Sequence, residues 1–391
     1  MENNRNLSKI EVIQSKLEGL FKLAPYCLEQ VKKEEIITPI LKELTNLHYH
    51  NCKEYQKIVD TVFNLNDGCD FNQQNNGEAR VGEFANIKSL SDVPYIPVRL
   101  FKLFELLSVP KEEVCKILTS SGTSSQVKSK IFLDKVNLLN QTKTLNHIIA
   151  SFLGSSRLPM VIFDTSMIRK DRTMFSARGG GVIGFSLFGR KPIYALDENM
   201  ELDIEALEAF FREHQDERVL FFGYTFMIWQ YIVKVLEEKN IKFNFKNAVL
   251  FHTGGWKKLQ SEAVEPKAFI ERVKNVLGNV EVYNQYGMAE QLGSVYIECE
   301  CGHMHPSNFS DVIIRRSKDF SVANVGEKGL MQLVSVIQTS YPGHSILTED
   351  QGVILGVDNC PCGRKGKFFK IFGRIKNAEL RGCSDTYFVK R

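Results

Sequence analysis

Two stretches of the chain concentrate side chains that do chemistry. The first is Thr119-Ser120-Ser121-Gly122-Thr123-Ser124-Ser125-Gln126-Val127-Lys128. A glycine among small hydroxyl residues lets backbone amides approach an anion closely, the hydroxyls add donors, and a following lysine offsets polyphosphate charge. The Gly-x4-Gly-Lys-Ser/Thr spacing of a Walker loop is absent. A Ser/Thr-rich run of this kind also reads as a plain linker. The second stretch is Cys299-Glu300-Cys301-Gly302-His303-Met304-His305, paired with Cys360-Pro361-Cys362-Gly363. Two Cys-x-Cys pairs in glycine-turned segments converge readily on one tetrahedral Zn²⁺, and a closed thiolate site is structural rather than catalytic. The spacing is tighter than Cys-x2-Cys, which leaves room for His303 or His305 in place of one cysteine. Four free buried cysteines is the competing reading.

The elements that must hold these groups follow from periodicity. Apolar residues recur at helical spacing through Ile10, Ile13, Leu17, Leu20 and Phe21 and again through Ile36, Ile40 and Leu44, so 8–65 reads as helical. Residues 67–77 are polar and rich in Gly and Asn, hence a loop. From about 115, strands at 116–120, 158–163, 192–195, 219–222, 248–253 and 280–286 alternate with helices such as 204–214 and 265–276. That alternation predicts an α/β domain with a mostly parallel sheet. Shorter β signals at 312–315, 330–337, 352–357 and 368–372 predict a smaller β-rich subdomain. The expected organisation is a helical N-terminal region (1–90), an α/β nucleotide-binding core (91–292), the β-rich subdomain with the cysteine cluster (293–373) and a short tail (374–391). Ser176-Ala177-Arg178-Gly179-Gly180-Gly181 reads as a second glycine-rich loop, either beside an acyl substrate or a simple turn. Phe221, Phe222, Tyr224 and Phe226 read as a tunnel lining or as core.

Composition bounds the function class. The 391 residues are 43% hydrophobic and 25% charged, with a net charge of +4, which argues against a nucleic-acid partner or an anionic membrane. The apolar run 219–236 contains Lys234 and divides into a buried strand and a helix capped by Thr225, so no membrane span is expected. The N-terminus has no apolar signal segment, and the nine cysteines do not form a disulfide framework; both point to a reducing cytoplasmic setting.

The hydroxyl-rich loop resembles the signature loop of the adenylate-forming superfamily, with Ser125 in place of the usual glycine and Val127 in place of the usual proline. Both departures resemble the acyl-protein synthetases of bacterial bioluminescence operons, near the phenylacetate–CoA ligase branch. Further motifs follow in family order over roughly 90–385: Pro94-Tyr95-Ile96-Pro97-Val98 with Phe101-Lys102, His252-Thr253-Gly254-Gly255-Trp256-Lys257, Tyr283-Asn284-Gln285-Tyr286-Gly287-Met288-Ala289-Glu290, Thr348-Glu349-Asp350 and Gly373-Arg374.

The resemblance implies ATP-dependent activation of a carboxylic acid, a fatty acid by preference, to acyl-AMP with release of pyrophosphate, followed by acyl transfer to a thiol. Ser120, Ser121, Gly122, Thr123, Ser124, Ser125 and Lys128 would hold the departing phosphates, and Thr123 and Glu290 would place Mg²⁺. Gly254, Gly255, Tyr286 and Gly287 would surround adenine. Asp350 and Arg374 would meet the ribose or phosphate, with His252 beside the site. The expected fold is the large N-terminal adenylate-forming domain, with the family's rotating C-terminal domain absent after Arg374. Cys383, in Arg381-Gly382-Cys383-Ser384, resembles the acyl-accepting cysteine of the acyl-protein synthetases. The implied acceptor is that cysteine, an acceptor or carrier protein, a reductase partner, or coenzyme A. Two other readings stand beside this one: an aryl- or acyl-CoA ligase of the phenylacetate type, and a non-catalytic, zinc-stabilised nucleotide-binding protein.

Overall fold

The computed structural model describes residues 2–63, 84–120, 128–170, 177–256 and 261–375. They fall into two compact units: the described residues within 2–119, 128–151 and 287–375 form the first, and Ser120 with those within 152–286 the second. The first unit begins with three helices, α1 (Glu2–Phe21), α2 (Gln30–Asn51) and α3 (Lys53–Val62), as the periodicity predicts. A short strand β1 (Ile96–Pro97) and helix α4 (Leu100–Leu103) precede β2 (Lys116–Thr119), β3 (Lys130–Leu133) and α5 (Lys135–Leu153). The strand expected at 116–120 therefore forms, but it does not join a parallel sheet. Its backbone groups are satisfied antiparallel by β3, in the register Lys116↔Leu133 to Thr119↔Lys130.

The second unit carries the α/β alternation. It runs β4 (Leu158–Thr165), α6 (Met167–Lys170), α7 (Ala177–Ser186), β5 (Gly189–Leu196), α8 (Ile204–His214) and β6 (Arg218–Tyr224). Then follow α9 (Thr225–Met227), a π-helical stretch (Ile228–Val233), α10 (Lys234–Glu238), β7 (Phe245–Thr253), α11 (Pro266–Leu277) and β8 (Gly278–Tyr286). Its strands pair in the order β5-β4-β6-β7-β8, every pair parallel. Strands buried on both faces read as continuous apolar runs, and every residue of β4 is buried.

Two local expectations are corrected here, and a third is decided between its two alternatives. The glycine-rich segment is helical from Ala177 onward, not a loop. Gly181 is needed because a Cβ there would lie 2.6 Å from the Tyr224 hydroxyl, so its absence lets α7 pack on β6. Thr225 opens its helix without capping it, since Tyr224 is the N-cap residue. Phe221, Phe222 and Tyr224 are buried in the core, at 0%, 0% and 2% exposure. Among the described residues no helix is long and apolar enough to cross a membrane.

The first unit resumes with β9 (Tyr296–Glu298), β10 (Met304–His305), β11 (Ser310–Arg315), β12 (Lys328–Ser335), β13 (Ser345–Val357) and β14 (Lys367–Arg374). They form an antiparallel sheet ordered β11-β12-β13-β14-β10-β9, with β1 added parallel to β13. Leu17, Ile37, Ile40, Leu41 and Leu44 of the helices share one core with Phe309, Ile313, Val334, Ile337 and Tyr341. The helical region and the β-rich segment are thus one packed body. A buried ion pair also ties them: Lys33 Nζ lies 3.1 Å from Asp311 Oδ2, at 1% and 0% side-chain exposure. Burial alone would raise the Asp311 carboxyl, but Lys33 and Lys367 outweigh it and hold it down at about 2. Removing one partner from such a pair costs about 3–5 kcal/mol.

The same core buries two stacked imidazoles, His48 and His344, with ring centroids 4.9 Å apart. His48 Nε2 donates to the Gln338 carbonyl at 3.1 Å, so its Nδ1 accepts from the Ser108 hydroxyl at 2.8 Å. Burial lowers His48 to about 3, and burial followed by His48 itself pushes His344 well below the usual range. Both are neutral when folded, whereas the unfolded chain protonates them below about pH 6.5. Their contribution is fully present above that pH and is lost as the pH falls. We expect each to remove about 1.4 kcal/mol of stability per pH unit below about 6.5. Urea melts at pH 7.5, 6.5 and 5.5 should show this slope, and His344→Gln should flatten it; an equal slope in that variant would refute the assignment.

Candidate active site and metal centre

In the second unit β4 pairs with β5 on one side and β6 on the other, so the chain runs outward from β4 to β5 and then crosses back to β6, reversing the strand order there. In open α/β sheets, ligands bind at the carboxyl ends of the strands around such a switch point. The predicted nucleotide residues of this unit lie along that edge. His252 is the penultimate residue of β7, and Thr253 Oγ1 donates to the Gln285 carbonyl of β8 at 3.0 Å. Gly254 and Gly255 follow with φ of +88° and +62°, and among the described residues nothing lies within 4 Å of where a Gly255 Cβ would stand. The left-handed conformation requires glycine, and the open side of the backbone leaves room for a flat base. Tyr286 ends the neighbouring β8 and is half-buried.

His252 is not an acid at neutral pH. Burial lowers it to about 3. Its Nδ1 lies 2.9 Å from Thr225 Oγ1, which donates to the Thr253 carbonyl at 3.1 Å. The single hydroxyl proton goes to the carbonyl, so Nδ1 carries hydrogen and Nε2 is left as an acceptor. Around it stand Phe269, with centroids 4.8 Å apart, then Trp229, which meets Trp256 edge-on at 5.2 Å. Arg272 sits 4.1 Å over the Trp229 ring. Sequence reasoning missed Thr225 and Phe269 as partners of His252, because they come from different elements. It also missed the buried Arg178–Asp164 pair, Nε to Oδ2 at 2.8 Å, which fixes the start of α7 at the end of β4.

The first unit holds Lys128, Glu290, Gly287, Asp350 and Arg374. Glu290 is 4% exposed in the turn Ala289–Gln291, and its Oε1 is buried with no hydrogen-bond partner among the described residues. A buried carboxylate oxygen left unsatisfied is costly. It is a fitting ligand for a hard cation, which Mg²⁺ is. Packing holds the turn in place, since a Cβ at Gly343 would stand 2.7 Å from the Glu290 carbonyl oxygen. Asp350 of β13 faces Arg374 of β14 in register, with Arg374 Nε 3.8 Å from Asp350 Oδ1. The predicted ribose residue and the hinge arginine are therefore brought together. A Cβ at Gly287 would make only ordinary contacts with Val295 and Ser294. Ser120 is buried and Lys128 half-buried. Ser121, Gly122, Thr123, Ser124, Ser125 and Cys383 lie outside the described residues.

The cysteine pairs converge. The ligand atoms of Cys299, His305, Cys360 and Cys362 all lie within 4.8 Å of one another. Cys299 Sγ is 3.9 Å from Cys360 Sγ, and Cys362 Sγ is 3.4 Å from His305 Nε2. Zinc bonds of about 2.3 Å to sulfur and about 2.0 Å to nitrogen set tetrahedral edges of about 3.5–3.8 Å, so the donors fit that ion. His303 Nδ1 reaches Cys360 Sγ at 3.3 Å but falls outside the cluster, and Cys301 is exposed. Burial pushes the Cys299 and Cys360 thiols up. At Cys362 burial is outweighed by the backbone amide and guanidinium of Arg364, which hold it below the usual thiol range.

Comparison with known proteins accords with this arrangement. The fold is similar to that of a 2-hydroxyisobutyryl-CoA ligase solved in an open conformation, with a TM-score of 0.66 and 16% identity over 90% of this chain and 77% of that one. The same enzyme in its postadenylation state gives a TM-score of 0.64 at 16% identity, covering 90% and 69%. The chain is an adenylate-forming ligase: it activates a carboxylic acid with ATP through acyl-AMP and passes the acyl group on. The family model for acyl-protein synthetase, LuxE, matches residues 3–390, and the chain belongs to that family. Among curated proteins it is similar to the long-chain-fatty-acid–luciferin-component ligases of Vibrio harveyi, 20% identical over 90% of this chain and 87% of that protein, and of Aliivibrio fischeri, 20% identical over 90% and 88%.

Proposed function

We propose that the acid is a long-chain fatty acid and that the acyl group moves from acyl-AMP to a thiol, first that of Cys383 and then that of a partner protein. The family match and the names of the similar ligases support this reading. The single observation that carries it is the carboxyl edge of the second unit, where Gly254 and Gly255 open the backbone at the end of β7 beside Tyr286 of β8. An anionic nucleophile attacking an anionic phosphate requires charge neutralisation and alignment. In this reading Ser120, Ser121, Gly122, Thr123, Ser124, Ser125 and Lys128 hold the β- and γ-phosphates, and Gly254, Gly255 and Tyr286 hold the base. Asp350, oriented by Arg374, accepts from the ribose hydroxyls. His252, kept neutral by burial and oriented by Thr225, positions the edge and transfers no proton.

Glu290 and Thr123 would hold Mg²⁺, which would supply charge neutralisation on the phosphates. A structural Zn²⁺ drawn from the clustered cysteines and histidines belongs to the same reading. The acceptor partner is a reductase or carrier protein, with coenzyme A as the competing thiol, and the setting is the cytoplasm. The test is incubation with Mg-ATP and radiolabelled fatty and aryl acids, following acyl-AMP and protein-bound label. ATP-dependent, hydroxylamine-labile labelling by a long-chain acid is expected. Adenylate without protein label transfers the acceptor role to coenzyme A, and no adenylate with any acid refutes the reading.

A further inference from the structure

The cysteine cluster does more than join two turns of the β-rich sheet. Cys299 precedes the tight turn between β9 and β10, where Gly302 has φ of +76° and its amide donates to the Cys299 carbonyl at 2.8 Å. His305 ends β10, which pairs with β14 through Met304↔Phe369. Cys360 and Cys362 lie in the turn between β13 and β14. That turn contains three left-handed residues, Asp358, Gly363 and Gly366, with φ of +59°, +83° and +84°. A turn with this much unfavourable or glycine-dependent backbone needs outside contacts to hold one conformation.

Those contacts lead to the start of α2. The backbone N-cap of α2, Glu29, offers no side-chain cap. Asp358 supplies one from the turn instead: both of its carboxylate oxygens accept the Gln30 amide at 3.1 Å, and Oδ1 accepts the Gly366 amide at 2.6 Å. A carboxylate there satisfies an orphan amide and complements the helix dipole. Around it, Lys365 N donates to the Tyr26 carbonyl at 2.9 Å, and Lys367 N donates to Gln30 Oε1 at 3.2 Å. The buried Lys33–Asp311–Lys367 network continues the seam. The turn that carries two of the cysteines is therefore the cap of the longest helix in the N-terminal region.

We propose that Cys299, His305, Cys360 and Cys362 bind one Zn²⁺, and that this ion locks the 358–366 turn so that metal occupancy sets the order of the α2 N-terminus. The inference rests on the metal reading of the same cluster. Binding replaces three thiol protons, which leave to solvent, by three sulfur–zinc bonds, and His305 contributes its Nε2 lone pair. Three thiolates and one divalent ion leave a net charge of −1, beside which Arg364 stands in contact with Cys362 and pairs with Glu300 at 2.8 Å. Cys299, Cys360 and His305 are 5%, 5% and 0% exposed and Cys362 is half-buried, and four protein donors close the tetrahedron, as in a structural site. Cys301, exposed, is left out.

The test combines metal analysis with amide hydrogen exchange on the full chain. Purified protein should carry one zinc per chain, and Cys301→Ser should keep it. Stripping the metal with a chelator should speed exchange about tenfold or more at 30–34 and 358–366, with the β4–β8 strands unchanged, and added Zn²⁺ but not Mg²⁺ should reverse it. Asp358→Asn should keep the zinc and still loosen 30–34. Substoichiometric zinc in the wild-type protein, or its loss in Cys301→Ser, overturns the ligand set and with it the metal reading. Stoichiometric zinc whose removal leaves α2 exchange unchanged, or an Asp358→Asn helix as protected as wild type, overturns the lock alone.

Discussion

Glu290→Gln should abolish measurable acyl-adenylate formation while leaving the protein folded. The substitution conserves volume and removes charge at a carboxylate whose Oε1 is buried with no partner among the described residues. In the folded chain that oxygen is a liability, since an unsatisfied buried acceptor costs about 1–3 kcal/mol. A protein keeps such a group where a ligand completes it. Loss of one preorganised electrostatic contact to a developing charge costs about 10²–10³ in rate. Acid-dependent exchange of labelled pyrophosphate into ATP should fall by that factor at saturating Mg²⁺, and the thermal midpoint should not fall. Lys128→Ala should give a comparable loss through the leaving phosphates. Undiminished exchange in Glu290→Gln would remove Glu290 from the site, and a collapsed midpoint would make it a structural residue of the Gly343 packing instead.

Cys383→Ser should separate the two half-reactions completely. Adenylate formation does not involve this thiol, so pyrophosphate exchange should stay within about twofold of wild type. Self-acylation should vanish, because a serine hydroxyl at neutral pH is a far poorer nucleophile than a thiolate. The measurement is protein-bound label from a radiolabelled long-chain acid after denaturing electrophoresis, with hydroxylamine as the thioester control. Retained, hydroxylamine-labile label in Cys383→Ser would place the thioester on another cysteine, of which exposed Cys301 and Cys115 are the first to test. Loss of both exchange and label would mean that the tail contributes to adenylation itself.

Much of this protein was legible before any coordinates. The strands of the α/β unit announce themselves as apolar runs, because a parallel sheet covered on both faces cannot alternate. The structure only lengthens them, for example from 248–253 to Phe245–Thr253. Gly254 and Gly255 take φ of +88° and +62°, a property of a few bonds that the glycine type itself permits. The strand at 116–120 was visible but its partner was not, because pairing is a choice among distant segments. The glycine run at 176–181 misled for a related reason: local propensity argues against a helix there, yet Gly181 is glycine to admit the Tyr224 hydroxyl.

The sequence by itself determined the chemistry on offer: hydroxyls and a lysine for phosphate, carboxylates for a hard cation, thiols and imidazoles for a soft one, in an order that marked the family. These are properties of residue types and short spacings, which survive without a fold. Only the tertiary structure decided which of six metal candidates meet within 4.8 Å. It also decided that Thr225 fixes the tautomer of His252, and that Asp358 caps a helix whose first residue, Gln30, precedes it by 328 positions. Each of those is a long-range contact, set by packing of elements whose separation along the chain carries no local signal.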